Sequence, residues 1–96
     1  MPEHVIGTTA EGRLIVLTQV GAPSSYPAGG FTVTISSLSL VEFVLSAYSS
    51  GGYIVEAIPS CTSNVVTVRI YSSGGTEVAS GTDLSAETVT LVTVGY

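Results

Sequence analysis

Few side chains in this sequence could do chemistry, and their spacing keeps them apart. There is one histidine, His4, and one cysteine, Cys61; Arg13 and Arg69 are the only strong cations. A metal set cannot be assembled around His4 without a second histidine or a neighbouring thiolate. Cys61 lies among Pro, Ser, Thr and Asn with no basic partner to lower its pKa, which predicts a small, partly buried, unreactive thiol. Serines are abundant, but a nucleophilic serine needs a base and an orienting third group, and no Gly-x-Ser-x-Gly elbow occurs. Glu42, Glu56, Asp83 and Glu87 could offer oxygens to calcium, yet their spacing matches no calcium loop. Two Ser-Ser-Gly-Gly stretches could suggest phosphate cradles, but neither is followed by Lys-Ser/Thr or by a helix. The sequence therefore predicts no catalytic residue, no cofactor, no metal site and no enzyme. Arg69, isolated on an apolar strand, is expected to pair with a carboxylate.

What is abundant instead is apolar, β-prone sequence. Only 9% of the 96 residues are charged and lysine is absent, while 45% are hydrophobic, so surface that charge normally covers must be covered by something else. A chain this short buries only about 60 to 65% of the surface it exposes when unfolded. One cysteine rules out an internal disulfide, which leaves oligomerisation as the stabilising device. The formal charge of −5 cannot neutralise a run of phosphates, so nucleic acid is not an expected partner. Nor is a membrane: Met1-Pro2-Glu3-His4 has no basic leader, and the apolar run from Leu14 to Val20 is interrupted by Thr18 and Gln19. The expectation is either cytoplasmic synthesis and assembly or a mature secreted chain whose leader has been removed, and the initial Met favours the first.

The elements follow from periodicity. Tyr48-Ser49-Ser50-Gly51-Gly52 recurs as Tyr71-Ser72-Ser73-Gly74-Gly75, and each copy closes a β-prone run, which predicts two hairpin corners. Residues 1–12 read as an arm or short edge strand, and 13–96 as a single β domain. Arg13 to Val20 is apolar on both faces, with Ile15 and Leu17 facing a second sheet or a neighbouring subunit. Gly21 to Gly30 must be a loop, with Tyr26 laying its ring on the core edge and bonding its hydroxyl to backbone. Phe31 to Ile35, Leu40 to Tyr48, Tyr53 to Ile58 and Val65 to Tyr71 alternate as strands. Val41, Phe43, Leu45 and Ala47 are expected on one face. An odd-residue corner would set Leu45 opposite Ala57 and Ala47 opposite Val55. Thr82 and Asp83 can cap a single helical turn, and Thr88 to Val94 needs a bulge or two-sided burial. The prediction is an all-β fold, a compact antiparallel sandwich or barrel of about seven short strands with no long helix. Tyr26, Phe43, Tyr48, Tyr53 and Tyr71 are the bulky candidates for core or interface anchors. Ile15, Leu17 and Arg69 complete the interface candidates.

Ser24-Ser25-Tyr26-Pro27-Ala28-Gly29-Gly30, Val41-Glu42-Phe43-Val44, Gly51-Gly52-Tyr53, Val65 to Tyr71 and Glu77 to Ser85 occur in that order. This arrangement resembles a group of small virion structural proteins of tailed bacteriophages. In that group a Ser-Tyr-Pro-x-Gly-Gly loop precedes the middle strands and a Thr-Asp-Leu-Ser turn precedes the last. The resemblance spans about residues 24 to 96 and departs at Phe31, where the group usually has an acidic residue. It implies a capsid decoration or cement protein on the capsid surface of the virion, assembled in the host cytoplasm. The implied partners are the major capsid protein and further copies of the chain, for which a trimer would suit threefold positions. A phage tail, fibre or extracellular filament subunit would share the composition. A carbohydrate-binding module would share the fold but normally shows exposed aromatics, and tryptophan is absent.

Overall fold

A computed structural model describes residues 3–96, so the first two residues of the expected arm lie outside it. Seven antiparallel strands form two sheets: β1 (Glu3–Thr8), β2 (Leu14–Gly21), β3 (Phe31–Thr34), β4 (Val41–Ser49), β5 (Ile54–Pro59), β6 (Val65–Tyr71) and β7 (Thr88–Gly95). One sheet has the order β1-β2-β7-β4 and the other β3-β6-β5. They make an open β-sandwich rather than a closed barrel. Among the described residues there is no helix, and so none long and apolar enough to cross a membrane.

Alternating residues from both sheets meet in the core. Val16 and Thr18 of β2, Val89 and Leu91 of β7, and Val41 of β4 face Val33 of β3 and Val66, Val68 and Ile70 of β6. β7 lies between β2 and β4, and its unbroken register with β2 shows that its two apolar phases reflect burial on both faces rather than a bulge. The bulges sit instead in β4, between Val41 and Phe43 and between Val44 and Ser46. They break the alternation read from sequence: Val41, Val44, Ala47 and Ser49 face inward, while Phe43 and Tyr48 face outward.

Two loop motifs fasten to each other. The Tyr26 N–H donates to the Thr82 carbonyl at 2.9 Å, the Leu84 N–H to the Pro23 carbonyl at 3.0 Å, and Tyr26 and Leu84 are both buried. Asp83 caps no helical turn. Its Oδ1 accepts from the Ser85 N–H and hydroxyl at 2.9 and 2.6 Å, which makes a local side-chain turn. The expected partly buried Cys61 thiol is exposed, and the residue has φ +62°.

The repeated pentapeptide does two different jobs. Around the second copy the Ser72 N–H donates to Thr76 O at 2.8 Å and the Gly75 N–H to Ser72 O at 2.8 Å, a tight reversal closed by a single Tyr71–Glu77 bridge. The first copy is not a hairpin. β4 pairs with β7 and β5 with β6, so the Ser50–Tyr53 corner crosses from one sheet to the other, and the Leu45–Ala57 and Ala47–Val55 register does not form. Glu87 holds that corner: its Oε1 accepts from the Gly51 N–H at 2.6 Å and from the Ser49 hydroxyl at 3.2 Å.

Thr18 has the one buried side-chain oxygen without a hydrogen-bond partner among the described residues. Thr18→Val replaces that hydroxyl by a methyl of similar size and removes an unpaired polar group from the core. The variant should be more stable by about 1 kcal/mol, read as a higher urea midpoint at unchanged slope; a lower midpoint would show that the hydroxyl is needed.

Candidate interface

Cross-strand partners share a face, so the register fixes what the four-stranded sheet turns away from the core. On β2 these residues are Ile15, Leu17 and Gln19, opposite Val94, Val92 and Thr90 of β7. On β4 they are Phe43, Ser46 and Tyr48, opposite the same three β7 residues. Phe43 and Tyr48 are 47% and 55% exposed, while Ile15, Leu17 and Val92 are half-buried by their neighbours. Val94 is buried but does not belong to the inter-sheet core cluster, as its outward position requires. Apolar side chains therefore cover the middle of this outer face without a charge among them.

Charge lies on the rim. At one end the Arg13 Nε donates to Glu42 Oε1 at 2.7 Å, and the guanidinium stands 5.4 Å from the centre of the Tyr96 ring. The hydrogen bond and charge of Arg13 hold the Glu42 carboxyl below its ordinary range, and Glu42 raises the Arg13 pKa in return. The opposite sheet presents a different outer face, on which Glu56 accepts from the Tyr71 hydroxyl at 3.0 Å and approaches Arg69 Nη1 to 3.7 Å. Arg69 has the carboxylate partner expected for it and also donates from Nε to Gly29 O at 3.1 Å.

The predicted interface residues consequently separate. Ile15, Leu17, Phe43 and Tyr48 share the apolar outer face. Tyr71 and Arg69 lie half-exposed on the polar face of the other sheet, and Tyr53 packs half-buried against the core. Tyr26 has no exposed surface. Its hydroxyl donates to Glu77 Oε2 at 2.7 Å and accepts from the Ile70 N–H at 3.1 Å, so it can offer nothing to a neighbour.

Sequence reasoning missed further exposed apolar residues. Leu45, at the second β4 bulge, is 57% exposed, and Ile54 and Ile58 stand 49% and 41% exposed on the outer face of the three-stranded sheet, on either side of Glu56. Ile54 and Ile58 in the phase opposite Val55 and Ala57 carried that signal. At one end of the sandwich the two pentapeptide copies border an open cleft of about 270 Å³, lined by Gly51, Gly52, Tyr53, Ser72 and Ser73, with no general base among them. Among the described residues no three His, Cys, Asp or Glu side chains are grouped to hold a metal. No protein-family model, no curated protein and no solved structure matches the chain.

A carboxylate latch joins the two layers behind the outer face. Glu3 on β1 accepts from the Ser36 N–H and hydroxyl at 3.1 and 2.7 Å and from the Ser37 N–H at 2.9 Å, just beyond β3. Partial burial pushes the Glu3 pKa up, but the bonds from Ser36 and Ser37 outweigh it and leave the carboxyl below its ordinary range. A depressed folded-state pKa gives stability that is complete above the unfolded value, about 4.3, and disappears as the pH falls through the folded one. Glu42 and Asp83 act in the same sense. Lowering the pH through that window should lower the urea midpoint, and Glu3→Gln should reduce the slope of midpoint against pH. An unchanged slope would show that the latch does not contribute.

Proposed function

We propose that the chain is a non-enzymatic structural subunit of a tailed-phage virion, which decorates the capsid shell and stabilises it through contacts with the major capsid protein and with its own copies. The observation that carries this reading is exposed apolar surface. Val5, Ile6, Phe43, Leu45, Tyr48, Ile54, Ile58 and Tyr96 are all more than two-fifths exposed, and five of the eight lie on β4 and β5. A chain of 96 residues with so few charges gains by covering that surface, and covering it against a shell stabilises both partners by mass action. The Ser-Tyr-Pro-x-Gly-Gly and Thr-Asp-Leu-Ser motifs contribute through the resemblance only. They bond to each other inside the loop layer, so they support the fold and locate no partner.

The test is co-sedimentation of the purified protein with empty capsids, together with the temperature at which those capsids open. Binding at saturable stoichiometry with a raised opening temperature supports decoration. A polymer that grows without capsids points to a tail, fibre or filament subunit, and a monomer that ignores the shell points to a binding module; either outcome overturns the proposal.

A further inference from the structure

We infer that the outer face of the four-stranded sheet is a self-association face, closed by a second copy of this chain packed sheet to sheet about a two-fold axis. This deepens the structural-subunit reading and rests on it, because it assigns one part of the exposed surface to the chain itself and leaves Leu45, Ile54 and Ile58 for the shell.

Three observations select a second copy. The first is charge. The chain carries a formal −5, so copies repel wherever carboxylates face one another. Register puts no carboxylate over Ile15, Leu17, Val92, Val94, Phe43 and Tyr48. His4 lies opposite Leu17 on the β1 edge of this face, and the Glu42 carboxylate is paired with Arg13 on the rim. Two identical acidic bodies can meet on this face without bringing unpaired like charges together.

The second observation is shape. β7 offers short side chains, Thr90, Val92 and Val94, between a ridge of Phe43 and Tyr48 on β4 and a lower one of Ile15 and Leu17 on β2. Beyond β2, Gly7 opposes Ile15 with no side chain, and a Cβ built there would lie 3.7 Å from Ile15 Cδ1. A two-fold axis running along the strands between β2 and β7 sets β2 of one copy over β7 of the other and the Phe43–Tyr48 ridge over the partner's β1 edge, where Gly7 leaves room, which is the self-complementarity an isologous contact requires. Sheets stack in this way about 10 Å apart, as the two layers within one chain do.

The third observation is area. Four strands spaced about 4.8 Å, each with about eight residues rising about 3.3 Å, cover roughly 500 Å² in plan, or roughly 1,000 Å² for a pair. That meets the ~1,000 Å² a specific interface needs and sits at its weak end, so the pair should dissociate on dilution. A sheet-to-sheet face closes with two copies, in contrast to the threefold cluster that the resemblance implies.

The experiment is light scattering on the full chain without capsids over a hundredfold range of concentration. The expected result is a mass moving from about 9.7 kDa to twice that, about 19 kDa. Leu17→Glu, on the outer side of β2, should shift the midpoint of that transition at least tenfold toward higher concentration. Ile54→Glu, on the other sheet, should leave it in place. Circular dichroism of both variants checks that the fold is kept, and the wild-type dilution series tests the pairing even if Leu17→Glu does not fold. A wild-type monomer at every concentration, a trimer, or a dimer that Ile54→Glu weakens and Leu17→Glu does not, would overturn the inference. Co-sedimentation with capsids is scored separately. A monomer that still binds the shell removes the pairing alone, and a dimer that ignores the shell removes the decoration reading alone.

Discussion

Replacing Tyr26 by phenylalanine should destabilise the protein by about 2–3 kcal/mol, although the change removes a single oxygen and leaves the buried ring in place. That oxygen links three segments. It donates to Glu77 just after the second Ser-Ser-Gly-Gly turn and accepts from the buried Ile70 N–H on β6, while the backbone of Tyr26 bonds to Thr82 and Gly81. Without it the Ile70 N–H is left unpaired inside the sandwich, which costs about 1–3 kcal/mol, and Glu77 loses a charge-assisted bond. Burial first, and the adjacent Glu77 carboxylate with it, raise the phenol pKa, so it remains a donor across the neutral range. Glu77→Gln keeps an acceptor in place and should cost about 1 kcal/mol. Since Tyr26→Phe removes the bond that Glu77→Gln only weakens, the double variant should be less destabilised than the sum of the two. Urea unfolding at one fixed protein concentration reads all three. A Tyr26→Phe midpoint matching the wild type would show that the hydroxyl is dispensable.

The second large effect is expected at two adjacent glycines. Gly29 and Gly30 have φ of +86° and +99°, so alanine at either meets the left-handed penalty of about 1–2 kcal/mol. The space around them differs. A Cβ at Gly29 meets nothing within 4 Å, whereas one at Gly30 falls on the Val68 carbonyl oxygen and lies 2.9 Å from Arg69 Cγ. The Val68 oxygen belongs to the central strand of the three-stranded sheet and cannot move without disturbing β6, so a steric cost of about 1–3 kcal/mol is added. Gly30→Ala should therefore cost about 3–4 kcal/mol and Gly29→Ala about 1–2. Equal losses would mean that the loop, rather than β6, sets the constraint.

These two sites show what the sequence could and could not disclose. The strands were legible wherever one phase faces the core: Val66, Val68 and Ile70 against Thr67 and Arg69, or Phe31 and Val33 against Thr32 and Thr34. The partners of the strands were not. A Ser-Ser-Gly-Gly corner supplies the same glycine freedom to a hairpin and to a crossing between sheets, and what separates the two copies is Glu87, 36 residues beyond Gly51, together with β7 as the competing neighbour of β4. The division of aromatics between core and surface depended on the same information. Two bulges turn Phe43 outward and Val44 inward, and no local pattern announces a bulge that a distant strand induces. Ile15 and Leu17 were placed correctly on a second apolar face, because two-sided hydrophobicity on one strand is a local signal.

The order in which the strands are made bears on how the sheet forms. β7 is the last of the seven to be synthesised, yet it occupies an interior place between β2 and β4, which have no bonds to each other without it. While a ribosome is still adding Thr88 to Gly95, β2 has only β1 beside it and β4 has an open edge, and both turn apolar residues to water. Pairing across such long stretches of chain is slow, on the order of milliseconds to seconds for β-rich domains. A nascent chain halted before Thr88 thus presents unpaired strand edges during the interval in which aggregation competes with folding. Emergence of β7, rather than formation of any early hairpin, is the event that lets the four-stranded sheet close.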